Sequence, residues 1–392
     1  MISIFRAAHI FLKPFLYSVL VIVPLLLPFF AIIFSQGLKD KEHTDFTVVS
    51  NWESEKTAFT RFYPRKLFSV GIYIDDISGI NFADRSFDSK FVFWAKNFFE
   101  RSANDRSQLG KDPFNIINAA DLDIRWRAAS YVKNDPDSDN SRNLDDPFVS
   151  YISYNVKGKL AQEFYLEHYP FDEHKLKIIL EPAYQTAEDM MLWVDPNSLV
   201  AGHIDLGEFK ITSFTGRSTL HTKRSDFSDP VLITKGAIWN ISPRVTFSVN
   251  IKRNPFSVLI KTIVPLLILL LMAYSNFFVD PQLFDAKNAM AVTGFLAAAA
   301  LHWTSGGELG NIGYLTAIDE FFLFSYALFF LVAIESVVSY NRFQSASRAD
   351  ISHLNEEKRV SGKTSFFLPL LKILFPVFLA SSWYFVILSH LK

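Results

Sequence analysis

The chain has 392 residues, 49% of them apolar and 20% charged, with a formal net charge of −1 and no cysteine. That length holds two domains of ordinary size, the charge balance leaves no electrostatic footprint for nucleic acid, and the lack of cysteine excludes disulfides, thiolate catalysis and Cys-ligated zinc. Phe is abundant, at 40 residues against 14 Tyr, which fits a chain with much lipid-exposed surface. No Gly-rich phosphate loop, H-E-x-x-H or G-x-S-x-G occurs, so the chain does not read as an enzyme and no cofactor or metal is expected.

Five apolar runs reach or approach the ~20 residues needed to cross a bilayer: Phe15–Phe34, Phe256–Phe278, Asp285–Thr304, Leu315–Val338 and Phe366–Leu388. Residues 1–36 read as an N-terminal membrane anchor or a signal peptide. Arg6 and Lys13 precede the run and keep its start inside. The run is longer than an ordinary signal core, and Ala31–Gly37 offers only a weak cleavage site. Either way the chain that follows is exported. Residues 37–65 are polar and mixed, and read as a linker.

Residues 66–253 read as an antiparallel β-sandwich. Lys66–Ile80 alternates, with Phe68, Val70, Ile72 and Ile74 set against Ser69, Gly71, Tyr73 and Asp75. A turn through Asn81–Ser86 leads into Phe87–Trp94, which alternates again, so the two form a hairpin. Phe98–Asp146 is less regular and contains the polar loop Pro136–Pro147. Phe148–Tyr169 alternates over a long stretch. Lys175–Glu181, Met190–Val194, Glu208–Phe214 and Val245–Lys252 are further strands, and Arg217–Asp229 reads as a long mobile loop. Several strands with turns and no helical periodicity indicate a sandwich.

Residues 254–392 read as a transmembrane domain of four helices, at about 256–278, 285–304, 314–340 and 365–389. Almost no linker separates the last strand from the first of these helices, so movement in the sandwich can push on them. A cytoplasmic start, an exported sandwich and four spans place the sandwich and the C-terminus on the outer, periplasmic side of a cell membrane. Tyr340–Ser365 would be the long inside loop; its Arg342, Arg348, Lys358, Arg359 and Lys363 have the expected sign. Lys261 can snorkel, and Glu335 lies near the inner end of its helix, where a charge is tolerable.

The run Asp285–Thr304 (DAKNAMAVTGFLAAAALHWT) is a poor lipid-facing helix, because its middle is Ala, Thr and Gly. At about 100° per residue, Asp285, Ala289, Thr293, Leu296, Ala300 and Trp303 fall in one stripe. The stripe has an acidic foot, small or hydroxylated positions and one Leu, the parts of a cation pore. The alternative is a small-residue helix packed closely against its neighbours.

Tyr169–Leu176 (YPFDEHKL) resembles the signature turn of the pentameric ligand-gated ion channels, the Cys-loop receptor superfamily, whose pattern is aromatic-Pro-Phe-Asp-x-Gln-x-Cys. His174 stands where Gln is usual, and Gln162 and Leu176 stand where the animal receptors carry paired Cys. Prokaryotic members also lack that disulfide. Val70–Lys96 is similar to the family's first hairpin. Arg253 and Pro265 stand as the family's basic residue before the first helix and its Pro within it. Tyr314–Phe330 resembles the start of the third helix, with Tyr-x-Thr-x-x-Asp. The resemblance covers roughly residues 66–340.

The resemblance implies a ring in which each subunit has four identical partners, set in membrane lipid. It implies a pore lined by the second helix, opened by an extracellular or periplasmic small ligand or by protons, and passing monovalent cations. Leu296 would be the hydrophobic gate, Thr293 the polar step beneath it and Ala289 the inner constriction. Asp285 falls where some bacterial cation channels carry Glu, but Ala286 holds the place of the usual selectivity Glu and Lys287 lies two residues on. Gating would be coupled through Asp172 of Tyr169-Pro170-Phe171-Asp172, through Arg253, and through Asp84 in the first hairpin. The ligand pocket would use aromatic residues, with Phe93, Tyr184 and Phe227 as candidates. Two other readings stay open. One is a ligand sensor signalling to cytoplasmic partners, for which Tyr340–Ser365 is too short to be a domain. The other is a channel-like membrane protein that does not conduct.

Overall fold

The computed structural model describes residues 46–47, 49–50, 66–100, 114–133, 148–183, 187, 190–223, 240–307, 309–310, 312–352 and 367–390. The anchor or signal run, most of the linker, the loop Pro136–Pro147, Tyr184, Phe227, Lys358, Arg359 and Lys363 lie outside the described residues. The chain forms two compact units. One is β-rich and drawn from Lys41–Phe164 and Glu173–Lys252. The other is helical, drawn from Arg253–Lys392 together with the short segment Tyr165–Asp172.

The β unit contains two sheets. Its strands are β1 (Phe46–Thr47), β2 (Val49–Ser50), β3 (Lys66–Asn81), β4 (Ser86–Glu100), β5 (Phe114–Ile116), β6 (Ala119–Lys133), β7 (Phe148–Ala161), β8 (Glu173–Pro182), β9 (Met190–Val194), β10 (Leu199–Val200), β11 (Phe209–Lys223) and β12 (Asn240–Arg253). One sheet runs β1-β10-β3-β4-β7-β6, with β9 also paired to β3; the other runs β2-β11-β12-β8-β5. The alternation seen in sequence is the burial pattern: Phe68, Val70, Ile72 and Ile74 of β3, Phe91 of β4, Leu176 and Ile178 of β8 and Phe247 and Val249 of β12 share one core.

Three expectations are corrected. The sheets are mixed, since β9 and β10 run parallel to β3 and β2 runs parallel to β11. β9 reaches β3 only after the chain has passed through β8 of the other sheet, and β2 lies far ahead of β11 in the chain, so these pairs are not hairpins. The irregular stretch Phe98–Asp146 contains the long strand β6. β6 is an edge strand whose Asp121, Asp123 and Arg125 are exposed, and Ile124 is exposed too, so no apolar alternation marks it. The loop expected at Arg217–Asp229 opens as strand: β11 continues to Lys223, and the rest of that loop lies outside the described residues. The hydroxyl-rich run Ser218, Thr219 and Thr222 hides a strand behind polar composition.

The β9–β10 edge is interrupted by a turn at Asp195–Ser198. The Ser198 hydroxyl replaces a ladder carbonyl, accepting from the Ile72 N–H at 3.1 Å and donating to the Asp195 carbonyl. The buried Asp195 carboxylate accepts from Trp94 Nε1 at 2.8 Å and Lys96 Nζ at 2.9 Å. Burial pushes this carboxyl up, but the bonds from Trp94, Lys96 and the Asn197 backbone together hold it below the usual carboxylate range. The Trp94 indole lies over Gly71, its cross-strand partner; a Cβ on Gly71 would sit 2.3 Å from a ring carbon.

The helices are α1 (Phe256–Phe278), α2 (Phe284–Gly306), α3 (Ala317–Ser352) and α4 (Phe367–His390). α1, Ala317–Ser345 of α3 and Leu370–His390 of α4 are long and apolar enough to cross a membrane. α2 is comparably long, at 23 residues or about 34 Å, but it is not apolar enough to count among them. In α1, Leu259–Ile263 winds as a wider π turn, just before Pro265, which has no N–H to return to the preceding turn. The Tyr-x-Thr-x-x-Asp pattern is a capping box: Asp319 Oδ2 accepts from the Thr316 N–H at 2.7 Å, and the Asp319 N–H returns to the Thr316 hydroxyl. α3 runs past its expected end at residue 340 into the stretch expected to be a loop. Gln344, Ala346 and Arg348 lower hydropathy there but favour helix.

Two outcomes follow. Gly71→Ala forces the Trp94 ring off its strand and lowers stability by about 1–3 kcal/mol, read as a lower unfolding temperature and a shifted tryptophan emission. The depressed Asp195 carboxyl stabilises the fold above the unfolded carboxyl value of about 3.9, and that contribution is lost as pH falls through its lower folded value. Asp195→Asn should therefore unfold at a lower temperature than wild type at pH 7, with the gap closing towards pH 3.

Candidate functional site

The segment between β7 and β8 forms the first part of the site. Its base lacks a covalent link and is closed by side-chain amides. Gln162 Oε1 accepts from the Lys177 N–H at 3.1 Å, beside Leu176. Asn118 Nδ2 donates to the carbonyls of Ala161 and Lys177, at 3.1 and 2.7 Å, while its Oδ1 accepts from Ile179 N–H. His174 is packed among the rings of Phe82, Phe164 and Phe209. Asn118 was not legible in the sequence, because a turn Asn has no local mark that distinguishes it.

Beyond this base, Tyr165–Asp172 belongs to the helical unit. Asp172 and Arg253 are 1% and 4% exposed and form a bidentate pair: Arg253 Nε to Asp172 Oδ1 is 2.8 Å, and Nη2 to Oδ2 is 3.2 Å. The Arg253 N–H donates to the Asp172 carbonyl at 3.1 Å, and its guanidinium carbon lies 4.9 Å from the Tyr169 ring centroid. Burying two charges is costly unless each is fully engaged, and a fork-on-carboxylate contact backed by an aromatic face meets that condition. The Tyr169–Pro170 peptide is cis. Further along, Leu166 N–H donates to the Tyr314 hydroxyl at 2.9 Å, and Ala317 N–H donates to the Glu167 carbonyl at 3.1 Å. His168 Nδ1 meets His390 Nδ1 at 2.7 Å. One short segment is thus bonded to the last residue of β12, the α2–α3 connection, the start of α3 and the last turn of α4. Asp84, in the β unit, exchanges two hydrogen bonds with Asn81 of its own turn.

α2 forms the second part. Asp285, Ala289, Thr293, Leu296, Ala300 and Trp303 are all exposed, with Leu296 at 60% and Trp303 at 87%. Its buried residues are Lys287, Ala291, Gly294 and Ala298, which lie on the opposite side of the helix at 100° per residue. Gly294 admits the Phe329 ring of α3, which a Cβ would meet at 2.7 Å. Many exposed residues of the other helices are large and apolar, as with Ile268 and Met272 of α1, Phe330 and Leu331 of α3 and Ile373 and Phe385 of α4, although Lys261, Ala327 and Ser381 are exposed as well. The α2 stripe is of small and polar residues around Leu296, with Trp303 at its far end, and Val292 and Phe295 are exposed beside it.

Lys287 is 1% exposed and points away from that stripe, its Nζ lying 3.0 Å from Glu335 Oε2 and 3.5 Å from the Ser339 hydroxyl. Asn276 of α1 donates to the Lys287 carbonyl at 2.8 Å. Glu335, read from sequence as a tolerated end charge, is instead the buried partner of Lys287. At the other end of α2, His302 Nε2 meets Asp319 Oδ1 at 2.7 Å and its Nδ1 meets the Tyr326 hydroxyl at 2.9 Å. His302 carried no sequence signal, and Glu335 was marked only as a helix-end charge, since both bonds depend on which faces of α2 and α3 meet.

Of the ligand candidates, Phe93 is a core residue, stacked on Tyr154 at 4.9 Å and edge-on to Phe114. Its burial leaves no ring face for a ligand within this chain. Tyr184 and Phe227 lie outside the described residues. No family model matches the chain.

Removing either member of the buried pair strands a charge. Asp172→Ala and Arg253→Ala should each destabilise the helical unit by about 3–5 kcal/mol, and the double variant should cost less than their sum. Thermal unfolding of the four proteins in detergent micelles tests this; additive losses would mean the two charges do not act as a pair.

Proposed function

We propose that the chain is a subunit of a ligand-gated, cation-conducting channel of the pentameric Cys-loop type, with five copies in a membrane around a pore lined by the exposed stripe of α2. The observation that carries this reading is the contrast between α2 and its neighbours. The stripe of α2 offers small and polar positions around Leu296, with Val292 and Phe295 exposed beside it and Trp303 at its far end, whereas the exposed positions of α1, α3 and α4 are mostly large and apolar. Withdrawal of Lys287 into the pair with Glu335 supports cation selectivity, because it leaves Asp285 as the only charged side chain of the stripe. In this reading Leu296 is the gate, Thr293 and Ala289 line the narrower inner half, and Asp285 rings the inner mouth. The sandwich binds a small molecule or protons, and Tyr165–Asp172 with Arg253 transmits the change to the helices.

The test is electrical. Purified protein in planar bilayers, screened with ligands and across pH, should show monovalent-cation currents. Asp285→Arg should move the reversal potential towards that of the anion, and Leu296→Ala should raise the current without agonist. Cation preference unchanged in Asp285→Arg would remove Asp285 from selectivity. Silence of the wild type under every condition would favour a channel-like protein that does not conduct.

A further inference from the structure

Tyr165–Asp172 is fastened at its middle by two imidazoles. His168 is exposed, and His390 closes the last turn of α4. Their Nδ1 atoms lie 2.7 Å apart with ring centroids 5.0 Å apart. Two ring nitrogens at that distance need one proton between them, one nitrogen donating and the other accepting. A charged imidazole carries N–H on both nitrogens and cannot accept. The contact therefore survives with both rings neutral or with one charged, and fails when both are charged.

The surroundings allow the first charge and oppose the second. His390 Nε2 faces Glu320 Oε2 of α3 at 3.5 Å, so a charged His390 points one N–H at Glu320 and the other at His168. A proton on His168 as well sets two N–H groups and two positive charges against each other. The other charged groups nearby are occupied or turned elsewhere. Asp319 is bonded to His302 and Thr316, and Arg253 is paired with Asp172. Glu167 is exposed beside His168 on the segment, and the Tyr314 hydroxyl accepts from Leu166.

We propose that His168 and His390 form a proton-counting clasp that holds the end of α4 to Tyr165–Asp172 while at most one ring is charged, and releases it when both are. Release is local. Tyr169–Asp172 stays on Arg253, and Leu166 and Glu167 stay on Tyr314 and Ala317, so the freed element is the end of α4. The released form binds one more proton, so acid favours it, by up to tenfold in population per pH unit. The clasp is a property of the helical unit and holds whether or not α2 lines a pore.

The absence of native cysteine permits a single site-specific probe. A nitroxide on Leu388→Cys, exposed in the last turn of α4, reports the mobility of that turn by electron paramagnetic resonance in the full chain in detergent micelles. Between pH 8 and pH 5 the ratio of mobile to restricted label should rise at least tenfold. His168→Gln, whose amide can donate or accept but not charge, should stay restricted at both pH values. His168→Arg, permanently charged, leaves a single proton to be counted, so its label should be restricted at pH 8 and released at a higher pH than in the otherwise wild-type chain. The proposal is overturned by an absent pH response in the otherwise wild-type chain, by a response that persists in His168→Gln, or by one abolished by His302→Gln but not by His168→Gln.

Discussion

The buried pair of Asp172 and Arg253 is the constraint on which the helical unit's edge depends. Each ion has lost its water, and an isolated charge in such a place costs several kcal/mol. The pair is tolerable because both carboxylate oxygens are used, the backbone of Arg253 adds a bond to the Asp172 carbonyl, and the Tyr169 ring covers the guanidinium. These partners come from segments 81 residues apart. Neither can be buried without the other, so the end of β12 and the segment between β7 and β8 must meet in one register. Asn254 and Pro255 alone separate that arginine from α1, and the Asn254 side chain accepts the Phe256 N–H there.

The same logic fixes the rotation of α2. Lys287 is paired with Glu335, and its own carbonyl is held by Asn276. Turning α2 by half a turn would bring Lys287 into the exposed stripe and leave Glu335 buried without its cation. The small residues Ala291, Gly294 and Ala298 add a steric reason, because only such side chains let α2 lie against its neighbours on that face. Asp285 and Lys287 lie two residues apart, yet they face different surroundings. A count of charges along the run suggests cancellation, whereas the helix points them about 160° apart.

How far the sequence could be read follows from the range of the interactions involved. Strands β3, β4, β8 and β12 were legible because apolar residues alternate along the face that joins the core, and β9, nearly all of it buried, was legible as a short apolar run. β6 and the far end of β11 were not, because an edge strand and a hydroxyl-rich strand carry no such contrast. The stripe on α2 was legible from helical spacing, and Asp172 with Arg253 from the motif at Tyr169–Asp172. Glu335, His302, Asn118 and His390 were hidden, since their partners are 48, 17, 59 and 222 residues away. No local period encodes such pairings. The exception is the cap at Thr316, where a three-residue spacing both identifies the helix start and supplies the bond that makes it.

That cap leaves the first turn of α3 with two adjacent carboxylates that serve different helices. Asp319 takes His302 of α2, and Glu320 faces His390 of α4. Successive residues on a helix point about 100° apart, so the divergence follows from the backbone and needs no distortion. It gives α3 contact with both neighbours through charge-bearing groups at one level. The Ala317 N–H, also in this turn, donates to the Glu167 carbonyl. A shift of that segment therefore acts first on the turn of α3 to which α2 and α4 are both bonded. If the stripe of α2 is a pore wall, the shortest bonded path to it from Tyr165–Asp172 runs through Ala317 and Asp319 to His302, with Arg253 holding the segment in place at its other end.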